Sequence, residues 1–414
     1  MAEQEIISGL DIGSTAIRLV VGQNVSDQQG KIHIIGSAEV AAEGISKGII
    51  SSIEDAVSSI SACLEKAERM VGVPIDSAWV GISGSHIISQ ESRGVVAVAR
   101  SDGEISEDDI ERAIEAARTV ATPPNYEILH VIPKGFTVDG QSGIKDPLGM
   151  TGVRLEVDTQ IIQGLSSQIK NLTKAVYRPH IHINDLVLSI LATAEAVLTN
   201  RQKELGVVVI NIGGSTTSLA VFEEGDILHT AVLPVGSDHI TSDIAIGLRI
   251  PIDTAEKIKL EYGSAIAEGI GKRDEIDIGE LEGKESNFVS KKYIAEIIEA
   301  RVEEIFDKID TELKKIDKSG KLPAGVVLTG GGSKLTNLVE AAKIRLRLPA
   351  SLSRPLSITS AIDKVNDPAF STAVGLVVWG SQLQGQQSQN GFGKIFNYLP
   401  NLKGLFGKFK GFKR

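Results

Sequence analysis

A motif that occurs twice, at an offset of 200 residues, constrains the fold of this chain more than any other feature. Residues 9–21 read GLDIGSTAIRLVV and residues 210–221 read INIGGSTTSLAV. Each copy has an apolar strand, a turn rich in Gly, Ser and Thr, and a second strand with alternating apolar residues. One copy alone would be typical of an ordinary β-hairpin. Two copies with matched flanks, such as Gly13 with Gly213, indicate a duplicated fold.

The residue types in the two turns suit a polyphosphate. Glycines let backbone N–H groups approach an anion without a Cβ in the way, and Ser and Thr add hydroxyl donors. Asp11, at the end of the first strand, could hold Mg²⁺ through its waters, because Mg²⁺ gives up its water shell reluctantly. The second copy has Asn211 at the matching position. Two such hairpins, one from each half of the fold, could grip one polyphosphate between them.

A third glycine motif supports a nucleotide site. Residues 326–338 read VVLTGGGSKLTNL, which predicts a buried strand, a glycine turn and then a helix. Gly330, Gly331 and Gly332 would let a flat ring lie against the backbone, and the helix N-terminus suits an anion. A tight strand-to-helix turn without a ligand is the alternative interpretation of this motif.

Composition excludes several classes of protein. Hydrophobic residues make up 42% and charged residues 23% of the 414 residues, as in ordinary globular proteins. The single cysteine excludes an internal disulfide, and no segment resembles a secretory signal or reaches the ~20 apolar residues of a membrane span. We therefore expect a cytosolic protein. Its net charge is −10, so we expect no nucleic acid partner.

The order of apolar runs predicts an α/β protein with largely buried central strands. Strand-like runs lie at residues 6–10, 78–82, 206–210 and 325–329, and a helix is expected over 51–71, opened by a Ser51–Glu54 capping box. Residues 85–164 interrupt this alternation with a strand at 94–100, a helix after Ser106 and two long extended runs. We interpret this segment as an inserted α+β unit.

The last 24 residues carry the opposite charge to the rest of the chain. Residues 391–414 contain six basic residues and no acidic one, which leaves 37 basic against 53 acidic residues, or −16, in the remainder. Their apolar residues recur at spacings of three and four, as in a basic amphipathic helix that lies on an anionic membrane. The predicted membrane-facing residues are Phe392, Ile395, Phe396, Leu399, Leu402, Leu405, Phe406, Phe409 and Phe412.

Two alternatives remain for this tail. Pro400 and the glycines favour a kinked or two-piece helix over a continuous one. A terminal helix docked on the body of the protein would also explain the apolar spacing. The polar segment at residues 382–390, which reads QLQGQQSQN, favours a flexible linker and therefore a tail that reaches outwards.

Taken together, these motifs resemble the actin/Hsp70/sugar-kinase ATPase superfamily and, within it, the bacterial cell-division FtsA family. The resemblance is carried by residues 9–18, 186–221, 242–263 and 326–335, by the inserted unit after Ser83 and by the amphipathic C-terminus. It implies an actin-like duplicated α/β fold with two nucleotide-binding lobes, an inserted α+β subdomain and a C-terminal amphipathic helix.

The resemblance divides the chain into nine parts. Lobe 1 is expected at residues 1–84, 165–199 and, as a C-terminal helix, 359–381, with the inserted subdomain at 85–164. Lobe 2 is expected at 200–263 and 323–358, with an accessory subdomain at 264–322. The linker at 382–390 and the membrane helix at 391–414 complete the chain.

The same resemblance implies ATP and Mg²⁺ as cofactors and assigns the site. Asp11 would hold the metal, Glu195 and Asn211 would be catalytic, with Glu195 orienting the attacking water, and Arg18 would contact phosphate. The other expected cofactor-binding residues are Gly13, Ser14, Thr15, Gly213, Gly214, Ser215, Thr216, Glu256, Lys257, Lys259, Gly330, Gly331, Gly332 and Ser333. Which of Glu256, Lys257 and Lys259 points inwards stays open. Family members usually have Asp where this chain has Asn211, so hydrolysis should be weak or absent.

The function implied is that of a peripheral protein on the cytoplasmic face of the cell membrane at the division site. There it would form a homopolymer, tether FtsZ filaments and meet other division proteins. Lys291, Lys292 and Arg301 would receive the C-terminal peptide of FtsZ, because an Arg fork suits carboxylates. A small-molecule kinase of the superfamily and an actin-like pilus-assembly protein are the alternatives.

Overall fold

Two β-sheets, each containing one copy of the repeated motif, form the frame of the structure. A computed structural model describes residues 6–24, 32–119, 122–271, 273–283, 285–356 and 358–387. In the first sheet the strand order is β11-β6-β1-β2-β3-β19. Its strands are β1 (Ile6–Ile12), β2 (Ala16–Asn24), β3 (Ile32–Ala41), β6 (Ser77–Ile82), β11 (His182–Leu188) and β19 (Ile358–Ser360). The antiparallel β1–β2 hairpin brings Asp11 opposite Arg18.

Helices cover this first sheet and complete lobe 1. They are α1 (Ile53–Val71), α3 (Ser166–Tyr177), α4 (Ser189–Val197) and α11 (Ser371–Gln387), and a short hairpin of β4 (Ile45–Ser46) and β5 (Ile49–Ile50) precedes α1. The predicted helix at 51–71 is present, but its N-cap is Ser52, whose hydroxyl accepts from Asp55 N. The predicted Ser51–Glu54 capping box was therefore wrong by one residue.

The second copy of the motif lies in a five-stranded sheet with the order β14-β13-β12-β17-β18. Its strands are β12 (Val207–Ile212), β13 (Thr217–Glu223), β14 (Asp226–Leu233), β17 (Gly325–Thr329) and β18 (Ala350–Leu352). Lobe 2 also contains α5 (Asn200–Leu205), α6 (Ser237–Leu248), α7 (Ile252–Tyr262), β15 (Glu275–Asp277), α8 (Ile278–Glu282), β16 (Phe288–Ser290), α9 (Lys291–Lys315) and α10 (Leu338–Leu346). The apolar stripe of α9 is buried, including Ile294, Ile298 and Phe306.

The inserted unit is a four-stranded antiparallel sheet with one helix on it. The sheet has the order β7-β10-β8-β9, from β7 (Ile87–Ala97), β8 (Tyr126–Val138), β9 (Gln141–Ile144) and β10 (Arg154–Leu165). Helix α2 (Glu107–Arg118) begins after Ser106, as predicted, and Ser106 and Asp109 form a capping box at its start. The first strand begins at Ile87, earlier than the predicted 94–100, because its polar first half pairs along β10.

The C-terminal helix of lobe 1 runs further than the sequence predicts. Helix α11 continues to Gln387, so most of the predicted linker at 382–390 is helical. The predicted amphipathic helix at 391–414 lies outside the described residues. Among the helices of the described residues, none has the length and apolar content that a membrane crossing requires.

Candidate nucleotide-binding site

The turns of the two repeated hairpins face each other across a cleft of about 510 Å³. In both turns the first glycine N–H donates to the backbone oxygen three residues on: Gly13 to Ala16 at 3.2 Å and Gly213 to Thr216 at 2.9 Å. A Cβ at Gly214 would lie 2.0 Å from Thr15 Oγ1, so glycine lets the two turns come this close without displacing the Thr15 side chain. The repeat in the sequence is therefore a structural repeat around one cavity.

Asp11 brings a carboxylate to the cleft at the end of β1. It is half-buried, and burial raises its pKa to about 6, although the nearby Arg18 guanidinium acts in the opposite direction. A divalent cation would favour the ionised form of this carboxylate. No group of three or more His, Cys, Asp or Glu in the described part of the chain could hold a metal by itself. One carboxylate with phosphate oxygens and water fits Mg²⁺.

Positive charge comes from the second strand of the first hairpin and from the segment before α11. Arg18 pairs with Glu39 at 2.7 Å, and Lys364 pairs with the same carboxylate at 2.6 Å. Both cations also lie over the ring of Phe370, at 5.5 and 5.6 Å from its centroid. The buried Nε of Arg18 has no hydrogen-bond partner among the described atoms. An anion in the cleft would meet a guanidinium that is oriented but not saturated.

The glycine turn after β17 forms another wall. Gly330 has φ +89°, and a Cβ there would lie 2.2 Å from Asn211 Oδ1. Residues Gly331–Lys334 form a 3₁₀ turn, held by a hydrogen bond of 2.6 Å from Ser333 Oγ to Gly330 O. The predicted helix begins only at Leu338. Gly330, Gly331 and Gly332 line the cleft, whereas Ser333 is buried within the turn.

The structure decides which of the three α7 residues points inwards. Glu256 and Lys259 line the cleft and pair with each other at 2.6 Å, while Lys257 is exposed to solvent. Lys259 is 7% exposed and also donates to Thr241 Oγ1 at 2.8 Å. Residues 256 and 259 lie almost one helical turn apart, so they share a face that residue 257 does not.

The two predicted catalytic residues have different surroundings. Asn211 lines the cleft at the end of β12, and its Nδ2 donates to Thr372 Oγ1 at 3.0 Å. Glu195 lies outside the cleft, contrary to the expectation. Its carboxylate pairs with Lys203 at 2.6 Å, with both side chains largely buried. On helix α4 the residue that lines the cleft is Ser189.

Several cleft residues belong to no motif. The residues reach the cavity from β3, from the segment that leads into α11 and from the start of α11 itself: Glu39, Lys364, Phe370 and Thr372. Asp367 also lines it and pairs at 2.8 Å with Lys334, which follows the glycine turn. No pattern in the sequence marks these positions, because they are brought to the cleft by strands and helices far apart in the chain.

The predicted peptide-binding residues lie on α9. Arg301 donates to both carboxylate oxygens of Asp243 on α6, at 2.6 and 2.9 Å, and also pairs with Glu304. These carboxylates raise the pKa of Arg301. Its guanidinium is therefore engaged inside the protein. Lys291 lies over the ring of Tyr262 at 5.4 Å, and Lys292 is next to it at the start of the helix.

Comparison with known proteins finds relatives that extend along nearly the whole chain. Residues 208–375 match the family model for cell division protein FtsA, and residues 84–163 match that for the SHS2 domain inserted in FtsA. Cell division protein FtsA of Pseudomonas aeruginosa is 39% identical over 380 residues, covering 92% of this chain and 90% of that protein. The Borreliella burgdorferi protein of the same name is 37% identical over 413 residues, covering 99% of this chain and 98% of its own length.

Solved structures confirm the predicted actin-like fold. The PilM–PilN type IV pilus biogenesis complex contains a chain with a TM-score of 0.66 at 17% identity, covering 92% of this chain and 99% of that one. MreB5 of Spiroplasma citri bound to ADP has a TM-score of 0.55 at 13% identity, covering 94% and 99%. At these identities the likeness concerns the fold alone, whereas the sequence relatives extend along nearly the whole chain. The protein therefore belongs to the FtsA family of cell division proteins.

Proposed function

We propose that this protein is an ATP-binding, actin-like cell division protein that polymerises at the cytoplasmic face of the membrane and links FtsZ filaments to it. The observation that carries the nucleotide part is the cleft, in which two glycine hairpins, Asp11 and the turn at Gly330 meet. Membership of the FtsA family supports a role in cell division. The nucleotide, the partners and the membrane are what we propose in addition.

In this proposal the phosphates lie between the two hairpins. Backbone N–H groups of the Gly13 and Gly213 turns and the side chain of Arg18 would bind them. Asp11 would hold Mg²⁺, which neutralises phosphate charge. Glu256 and Lys259 would flank the ribose and base beside Gly330. Asn211 offers an oxygen but no charge, so we propose that nucleotide turnover is slow and that ATP acts mainly to control assembly.

Titration calorimetry with ATP, in Mg²⁺ and then in EDTA, tests the nucleotide site. The wild-type protein should bind ATP more tightly with Mg²⁺, and Asp11→Asn should lose most of this dependence on Mg²⁺. The matched control is Asp367→Asn, a second cleft carboxylate that is already paired with Lys334. That variant should keep the Mg²⁺ dependence. A wild-type protein that binds no ATP in either condition would contradict the proposal.

The FtsZ peptide is proposed to bind on α9. Lys291 and Lys292 supply positive charge there, whereas Arg301 is held by Asp243 and so stabilises the contact between α6 and α9. Replacing both lysines by Glu should abolish binding of an acidic C-terminal peptide, measured by fluorescence anisotropy. The control, Lys343→Glu on α10, should bind normally. Equal peptide affinity in all three proteins would place the site elsewhere.

Membrane attachment is proposed for residues 391–414, which lie outside the described residues. Their apolar residues would enter the interface, and their six positive charges would add an attraction screened over about 8 Å at physiological ionic strength. One tail should bind weakly, and a polymer that presents many tails should bind firmly. Sedimentation with anionic vesicles in ATP should pellet the full chain and leave a chain truncated after Asn390 in solution. Pelleting of the truncated chain would place the anchor elsewhere.

A further inference from the structure

A small network of side chains joins the two lobes beside the candidate nucleotide-binding site. Thr193 on α4 is fully buried, and Thr372 on α11 is 4% exposed. Their hydroxyl oxygens lie 2.9 Å apart. Asn211, from β12 of the other lobe, points its amide nitrogen at both of them, at 3.0 Å from Thr372 and 3.4 Å from Thr193. Three segments that are distant in the sequence therefore meet in one cluster of hydrogen bonds.

Counting hydrogens fixes the direction of every bond in this cluster. A hydroxyl has one hydrogen, and a backbone carbonyl can only accept. Thr193 Oγ1 lies 2.8 Å from Ser189 O, so its hydrogen is committed to that carbonyl. The short contact between the two threonines must then use the hydrogen of Thr372. Both hydroxyl hydrogens are now in use, so the remaining contacts to Asn211 require the hydrogens of its amide group.

The same count excludes the opposite orientation of Asn211. With the amide turned over, its oxygen would face two hydroxyls that have no hydrogen left to give. An aspartate at this position would do the same and would add a negative charge. In either case two of the four contacts would have no hydrogen, which is unfavourable in a buried site. The threonines therefore select both the residue type and its orientation.

This orientation places the amide oxygen of Asn211 at the cleft. Asn211 Oδ1 lies against Gly330, where a Cβ would come within 2.2 Å of it, and Gly330 lines the cavity. We propose that Thr193 and Thr372 are positioning residues, which hold Asn211 so that its oxygen faces the Mg²⁺-bound nucleotide. This inference rests on the proposed nucleotide-binding function and assigns roles within that same site.

A double-mutant cycle on Mg·ATP affinity tests the proposal. Thr372→Val removes the hydroxyl but keeps the shape, and it should weaken affinity at least about threefold when Asn211 is present. In an Asn211→Ala background, the same Thr372→Val change should have no further effect, because there is no amide left to position. Thr372→Ser restores the hydroxyl and should restore affinity. Additive effects of the two changes would overturn the proposal, since a threonine that only packs acts equally in both backgrounds.

The matched control is the neighbouring hydroxyl pair. Ser371 Oγ lies 2.7 Å from Thr329 Oγ1 and is fully buried at the same junction, whereas the side-chain hydrogen bonds of Asn211 go to Thr193 and Thr372. Ser371→Ala should therefore combine additively with Asn211→Ala. Coupling as large as that of Thr372 would mean that any change at this junction disturbs the site, and would overturn the specific role of Thr372.

A second readout separates this inference from the proposed function. If the wild-type protein binds no Mg·ATP, the proposed function fails, and the same cycle can be measured on thermal unfolding of the nucleotide-free protein. Non-additive losses of stability for Thr372→Val and Asn211→Ala would then support the hydrogen-bond network alone. Additive losses there would overturn the network as well.

Discussion

Residues at matching places in the two hairpins have become different chemical groups. Asp11 lies beside Arg18 in the first hairpin and supplies a carboxylate to the cleft. Asn211, at the matching place in the second hairpin, is surrounded by hydroxyl oxygens that need hydrogen donors. The duplication fixes where the two side chains lie, whereas the neighbours from other elements determine which side chain each place accepts.

A buried histidine, which lies away from the cleft, should make the stability of the protein depend on pH. His130, on β8 of the insert, is 1% exposed and accepts from Leu188 N at 3.0 Å. Burial lowers its pKa to about 4, so it is neutral in the folded protein. An unfolded histidine takes up its proton near pH 6.5. Between these values the unfolded state binds more protons, so the free energy of unfolding falls as the pH falls.

We therefore predict that His130→Gln reduces the acid sensitivity of the protein. Between pH 7 and pH 5, the wild-type free energy of unfolding should fall by roughly 1–2 kcal/mol more than that of the variant. Glutamine keeps an acceptor for Leu188 N–H but does not titrate in this range. Urea unfolding at several pH values measures the difference. His182→Gln, at an exposed histidine, should behave like the wild type, and an equal acid response in all three proteins would contradict the prediction.

Helices α4 and α11 approach each other very closely at Gly375. A Cβ at Gly375 on α11 would lie 1.9 Å from the backbone oxygen of Ala192 on α4. Alanine normally favours a helix over glycine by about 1 kcal/mol. Here the neighbour is backbone, which cannot move aside as a flexible side chain can. The helices approach closely only because this position has no side chain.

Gly375→Ala should therefore destabilise the protein, with a net loss of roughly 1–3 kcal/mol in the free energy of unfolding. Gly247→Ala on α6 is the matched control, because the atom in its way is the end of the flexible Ile297 side chain, at 2.7 Å. That change should be neutral or slightly stabilising. Denaturant unfolding of both variants compares them, and equal stabilities would show that α4 and α11 can separate without loss.

At the scale of the whole molecule, the inserted unit contacts lobe 2 as well as lobe 1. Lys145, just after β9, forms an ion pair with Asp226 on the edge strand β14 of lobe 2 and donates to Glu224 O at 3.1 Å. Lys134 on β8 donates to Leu228 O of the same strand at 3.2 Å. Because both ends of the insert join lobe 1, these contacts tie the two lobes together at a second place, away from the cleft.

Breaking this contact should speed nucleotide release. Lys145→Ala removes a partly exposed ion pair, typically about 0.2–1 kcal/mol, so we predict an increase of up to about fivefold in the release rate of a fluorescent ATP analogue. The charge swap Lys145→Asp with Asp226→Lys should restore the slow rate. Arg93→Ala, which breaks an ion pair within the insert, should release nucleotide at the wild-type rate. An unchanged rate in Lys145→Ala would mean that the lobes do not separate during release.

The sequence by itself determined the architecture of this protein. The two hairpins, the glycine turn, the inserted unit and the helix after β5 were all predicted from local patterns. Such patterns suffice because strand and helix periodicity, and the positions where only glycine fits, depend on neighbouring residues in the chain. The start of α1 was predicted one residue too early for a local reason as well: Ser51 and Ser52 are adjacent and carry the same hydroxyl group, so the sequence does not distinguish them as N-caps.

Only the tertiary structure decided how individual side chains are used. Glu195, which we expected to be catalytic, pairs with Lys203, and Arg301, which we expected to bind a peptide, pairs with Asp243. Lys259 faces the cleft while Lys257 faces solvent. The partner of a charged side chain is set by which elements pack together, and those elements are often more than 50 residues apart, as with Arg301 and Asp243. Burial makes an unpaired charge unfavourable, so packing and not the local pattern selects the partner.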